Sequence, residues 1–193
     1  MIFLPNVAEK DGRSDRQYTM IDKLFEENII ILENGIGDDL ATTIKAQLLY
    51  LDSKEDCKEI NIYISSGGGS VLAGNGIIDV IRHIKTPVNT VCTGMIASMG
   101  TQIFASATGK RRIMPRSRIM IHSVASGSSG KIQDLRIEMK ETEYLQEQLM
   151  KDLANFTNGK TSYEEMCKLT DRDNWLSAEE AVEIGIGDEV IYK

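Results

Sequence analysis

Cysteine and histidine are both scarce in this chain. Its three cysteines, Cys57, Cys92 and Cys167, lie far apart with no CxxC pairing, so the sequence offers neither a disulfide framework nor a zinc-ligand pattern. A reducing cytoplasm is the expected setting, with no metal or other cofactor implied. Only two histidines occur, His83 and His122, so a mechanism that uses imidazole as a base must use one of them. Long apolar runs are missing. No segment approaches a membrane span, and the start, "MIFLPNVAEKDGRSDRQ", lacks the basic region and apolar stretch of a signal peptide. Positive charge is in deficit: 22 Lys and Arg against 29 Asp and Glu give a formal net charge of −7. That argues against a nucleic-acid backbone or an anionic membrane as partner. The short basic cluster Lys110-Arg111-Arg112 reads as a solvated turn. Nucleotide loops are absent too. "SSGGGS" at 65–70 lacks GxGxxG spacing, and "GKT" at 159–161 has Ala154 where a P-loop requires glycine.

What is present is alternation. Runs rich in β-branched residues, "NIIIL" 28–32, "EINIYI" 59–64 and "VNTVC" 88–92, alternate with helical periodicity over 38–52, 70–84 and 97–107. This pattern predicts an α/β fold of βαβ units around a mostly parallel sheet, as one domain over 1–193. The second helix carries Val71, Ile77, Ile78, Ile81 and Ile84 on one side, and Pro87 stops it. Further strands are expected at 111–113 and 118–124. The segment 131–156 is long, charged and amphipathic, with a narrow stripe of Ile132, Leu135, Met139, Leu145, Leu149, Leu153 and Phe156. Such a stripe fits an arm packed on another subunit, or equally a surface helix covering its own domain. Two capping boxes are expected, Thr161 with Glu164 and Ser177 with Glu180. The apolar Ile2, Phe3 and Leu4 fit docking on a partner, or a terminus tucked into its own domain.

One serine stands out. In "TGMIASMGTQ", 93–102, Ser98 sits among small residues just after a strand-like run, which suits either a filler between packed helices or a buried nucleophile. The glycines at 67–69 offer backbone N–H groups with no side chain in a ligand's way, the raw material of an oxyanion hole, and also simply a tight turn. His83 is expected to face water. His122 closes the apolar run "RIMIH" and should be partly shielded at the strand's end. A serine hydroxyl needs such an imidazole to become a nucleophile, and the imidazole needs a carboxylate to fix its tautomer. Asp171 and Asp173 in "TDRDNW" are candidates, although by composition alone they describe a solvated turn.

The three motifs "GMIASMG", "SRIMIHS" and "TDRDNWLSAEEAVEIGIGD", in this order, resemble the ClpP family of serine peptidases. The resemblance covers essentially the whole chain from "YTMIDKLFEENIIIL" onward. It implies the crotonase-like spiral of ββα units, with an N-terminal axial segment at 1–18 and a protruding handle over 125–156. It makes Ser98 the nucleophile, His122 the base and Asp173 the orienting acid, and the backbone N–H groups of Gly69 and Met99 the oxyanion hole. Asp171 and Arg172 match positions that pair across a contact between rings. Family members interleave two seven-membered rings into a closed chamber, so the implied partners are further copies of the chain, unfolded polypeptides, and an AAA+ unfoldase of the ClpX, ClpA or ClpC type. Since the chain has no P-loop, ATP would be hydrolysed by that separate partner.

The chain departs from the family at several points. Ser66-Gly67-Gly68-Gly69 stands where the family has Ser-Pro-Gly-Gly, removing a proline that fixes φ. Ser123-Val124 replaces Gln-Pro ahead of "ASGSSG" 125–130. The unfoldase-docking cleft keeps Tyr63 but has Asn61 and His83 where the family has aromatics. The expected function is a serine endopeptidase of a closed chamber. The alternative is a divergent, weakly active paralogue, mainly structural within a mixed ring. Position 96 is Ile, so the G-x-S-x-G elbow of ordinary α/β-hydrolases does not apply. An acyl-CoA enzyme of crotonase type would share the glycine turn but has no need of all three of Ser98, His122 and Asp173.

Overall fold

The computed structural model describes residues 6–11, 14–127 and 129–192; Ile2, Phe3, Leu4 and Ser128 lie outside them. An antiparallel hairpin of β1 (Asn6–Asp11) and β2 (Ser14–Thr19) comes first. It leads into α1 (Met20–Glu26), whose start is fixed by a capping box between Thr19 and Asp22.

The alternation of strands and helices then follows the sequence pattern closely. In β3 (Ile29–Glu33) Ile30 and Leu32 turn inward, and α2 (Asp38–Asp52) buries Ala41, Ile44, Leu48 and Leu51 at helical spacing. In β4 (Ile60–Ser66) Ile60, Ile62 and Ile64 face the same core. The Ser70 hydroxyl caps α3 (Val71–His83), which buries Ile77, Ile78 and Ile81. Each such side chain taken fully from water contributes about 2 kcal/mol, so these facing rows hold the helices on the sheet.

Next comes β5 (Val88–Ala97), running well past the expected end at Cys92, followed by the wholly buried α4 (Met99–Ala105). Two short strands, β6 (Arg111–Ile113) and β7 (Arg118–Ile121), precede α5 (Ile132–Phe156). The chain closes with α6 (Tyr163–Leu169), β8 (Asn174–Leu176), α7 (Ala178–Glu183) and β9 (Glu189–Val190).

The sheet is parallel except at one edge. Strands β3, β4 and β5 pair in parallel, and β5 then forks. Its first half pairs with β6, which pairs with β9, whereas Met95–Ala97 pairs with β7, which pairs antiparallel with β8. The fork follows an irregularity against β4 between Ile64 and Ser66, where Gly94 takes φ +69. A side chain would strain that conformation, so glycine lets β5 bend from one neighbour to the other. This mixed α/β fold, with its parallel-dominated sheet, is the one expected from the sequence.

The domain covers the stripe of α5 only in the second half of the helix. Leu149, Met150, Leu153 and Ala154 are buried on the domain, while Ile132, Ile137, Met139 and Tyr144 are exposed. Three local expectations are corrected. The capping box before α6 is Ser162 with Glu165, not Thr161 with Glu164; Thr161 is instead buried and donates its hydroxyl to the Ile184 carbonyl. Strand β7 stops at Ile121 rather than 124. Arg111 is no solvated turn residue: it is 4 % exposed, pairs with Asp188, and donates to the Phe156 and Gly185 carbonyls.

Candidate active site

Strand register assembles the site. Ala97 pairs with Met120, so Ser98 leaves β5 beside the end of β7, and its N–H donates to the Met120 carbonyl at 3.1 Å. The Thr101 hydroxyl donates to the same carbonyl at 2.9 Å, tying the first turn of α4 to β7. On the other side of β7, Ile121 pairs with Asn174 in the antiparallel register. Extending that register by one residue sets His122 opposite Asp173. Their side chains meet there, with His122 Nδ1 3.3 Å from Asp173 Oδ1. The imidazole is mostly shielded, at 20 % exposure, whereas the carboxylate is 67 % exposed. Among the described residues the Ser98 hydroxyl is not hydrogen-bonded to His122, though both line one cavity of about 120 Å³.

Ser98 has φ +54 and ψ −124, a conformation non-glycine residues rarely adopt. The turn is held by β7 on one side and by the glycine loop on the other. Gly68 has φ +93, and a methyl group there would lie 2.8 Å from both the Ala97 carbonyl oxygen and Ser98 Cβ. Gly69 has φ +151, with Ile36 backbone atoms where its Cβ would be. The loop is anchored by the Ser66 hydroxyl, which donates to the Asn34 carbonyl and accepts from the Gly68 N–H. A main-chain bridge adds to this: the Ile36 N–H donates to the Gly68 carbonyl, and the Ser70 N–H to the Ile36 carbonyl.

The expected oxyanion donors stand beside this turn. Met99 is the first residue of α4, where an N–H has no intrahelical acceptor. Neither its N–H nor that of Gly69 is spent on another described residue, and both residues line the cavity with Ser98 and His122. Two free N–H groups next to a hydroxyl can stabilise an oxyanion as it forms, and a shielded imidazole backed by a carboxylate can move the proton.

The remaining expected residues lie apart from this cavity. Asp171 and Arg172 are exposed next to Asp173, with Arg172 Nε 3.8 Å from Asp171 Oδ2. Asn61 and Tyr63 share the half-buried face of β4 opposite Ile60 and Ile62. Asn61 is engaged there, its carbonyl oxygen accepting from the Asn89 amide at 3.1 Å. His83, as expected, is exposed at the last turn of α3. Sequence reasoning missed Gln102. It is the amide in an otherwise small or apolar helix whose every residue from Met99 to Ala105 is buried, and its place one turn after the candidate nucleophile was the available signal.

Similarity is consistent with this geometry. A family model described as Clp protease matches residues 12–193, a span that includes Ser98, His122, Asp173 and both free N–H groups. The chain therefore belongs to the Clp protease family, serine-type peptidases that assemble as oligomers and associate with Clp ATPases.

Proposed function

We propose that the chain is a serine endopeptidase in which Ser98 attacks the peptide carbonyl, His122 takes and returns the proton, and Asp173 orients the imidazole. Gly69 and Met99 N–H groups hold the oxyanion. The observation that carries this reading is the convergence of Ser98, His122, Gly69 and Met99 on one cavity, with Asp173 behind His122. In the proposed cycle the Ser98 oxygen bonds to the carbonyl carbon as its proton passes to His122. The scissile C–N bond then breaks as that proton passes to the leaving amine, and water repeats the sequence on the acyl-enzyme.

The working form is two stacked heptameric rings enclosing a chamber. The exposed first half of α5 interleaves between the rings, and a separate AAA+ unfoldase of the ClpX, ClpA or ClpC type feeds unfolded polypeptides at the cost of its own ATP. The cytoplasm is the proposed compartment. The exposure of Asp173 and the open Ser98–His122 pair support a further point: contact between rings through Asp171 and Arg172 orders the acid and closes the triad.

A second reading is a weakly active paralogue that needs another subunit in a mixed ring. The polar Asn61 and His83 at the docking positions favour it. Fluorophosphonate labelling of wild type and Ser98→Ala, paired with oligomer mass by light scattering, tests both. A large assembly labelled only in the wild type supports the active homomeric chamber. A small, unlabelled oligomer favours the mixed ring, and labelling retained in Ser98→Ala overturns Ser98 as nucleophile.

A further inference from the structure

The cavity beside Ser98 runs inward between α4 and α5, where Leu149, Met150 and Leu153 give it an apolar wall. Gln102 of α4 also lines it, and is 5 % exposed. Its amide is half used: Nε2 donates to the Leu149 carbonyl at 3.1 Å, while Oε1 is buried with no hydrogen-bond partner among the described residues. A buried acceptor left unpaired is destabilising, and native interiors rarely carry one without a reason. Here Gln102 lies one helical turn from the candidate nucleophile, whose carbonyl accepts the Gln102 N–H at 3.2 Å. The terminal torsion of a glutamine is soft, so Oε1 can turn to a donor that enters the cavity.

Resting on the peptidase reading above, we infer that Gln102 sets substrate preference. It selects, for the residue whose carbonyl Ser98 attacks, an unbranched side chain ending in a hydrogen-bond donor. Glutamine satisfies both demands of the cavity, its methylenes lying along Leu149, Met150 and Leu153 and its NH2 donating to Gln102 Oε1. Methionine fills a similar volume but leaves the oxygen orphaned. Glutamate brings only acceptors and a charge to an apolar wall, which is unfavourable. Lysine brings a donor, but its ammonium would be desolvated without a counter-charge.

The test is a set of fluorogenic peptides alike except for Gln, Met or Glu before the scissile bond, cleaved by wild type and by the near-isosteric Gln102→Met. The quantity read is the Gln/Met ratio of kcat/KM within each protein, which a general loss of activity or folded fraction does not move. The wild type should prefer Gln to Met and disfavour Glu, and the ratio should fall about tenfold in Gln102→Met. An unchanged ratio, as when an internal water satisfies Oε1 instead, overturns this inference while leaving the peptidase reading intact. Failure of the wild type to cleave any of the peptides, with no fluorophosphonate adduct at Ser98, overturns both.

Discussion

Adding one methyl group at either of two adjacent loop glycines should act on this protein in opposite directions. At Gly67 the new Cβ meets only the Met95 methyl, at 3.8 Å, and φ is not positive. Gly67→Ala should therefore stabilise by about 0.4–1 kcal/mol through the lost freedom of the unfolded chain. In a domain of this size that raises Tm by roughly 1–4 °C. At Gly68, φ is +93, and the Cβ would stand 2.8 Å from the Ala97 carbonyl oxygen and Ser98 Cβ and 3.0 Å from the Met99 nitrogen. The backbone conformation alone disfavours alanine by about 1–2 kcal/mol, and the contacts can be relieved only by moving the nucleophile or the N–H beside it. A displacement near 1 Å at a reacting group is worth about 10²-fold in rate. Thermal unfolding and the rate of fluorophosphonate labelling, measured on both variants, give the comparison. Gly67→Ala should melt higher and label like wild type; Gly68→Ala should melt lower and label about a hundredfold more slowly. If Gly68→Ala labels at the wild-type rate, the glycine loop is not the wall that holds Ser98, and the reasoning fails.

Arg172→Ala should lower both the oligomer mass and the labelling rate. Trp175, 46 % exposed two residues beyond Asp173, should report the same change as a shift in emission on dilution. Met139→Glu, on the exposed half of α5, should reduce the assembly in sedimentation while leaving the circular dichroism of the subunit unchanged, because Met139 is 65 % exposed and contributes little to the core. Asp188→Ala should destabilise by about 3 kcal/mol in denaturant unfolding, since it leaves the buried Arg111 guanidinium without its carboxylate. Burial alone would raise the Asp188 pKa, but hydrogen bonds from the Arg111 side chain and N–H outweigh it and hold the carboxyl below its ordinary value. A depressed folded pKa contributes stability that is whole above the ordinary aspartate range and lost as pH falls through the lowered value. Wild type should therefore lose stability more steeply than Asp188→Ala as acid is added.

Periodicity alone determined the strands and helices from Ile29 to His83, because a period of two or of 3.6 in apolar residues is a local property that burial on one face then rewards. It determined α2 to the residue and the Ser177 box of α7, since caps are local as well. The candidacy of Ser98, His122 and Asp173 was legible through motif resemblance. Their placement on neighbouring strand ends was not, because it depends on which strands pair and in what register. The fork of β5 at Gly94 carries Ser98 to β7, and the antiparallel pairing of β7 with β8 sets Asp173 opposite His122. Burial of polar groups was beyond the sequence for the same reason. Nothing local marks Arg111 off from its basic neighbours, yet distant Asp188, Gly185 and Phe156 make it an internal tie. Gln102 likewise becomes a polar group in the site cavity only when α5 closes over α4. Hydrophobic pattern is written along the chain, whereas register, a bend at one glycine and the pairing of buried polar atoms exist only between segments far apart in it, and so only the tertiary structure decides them.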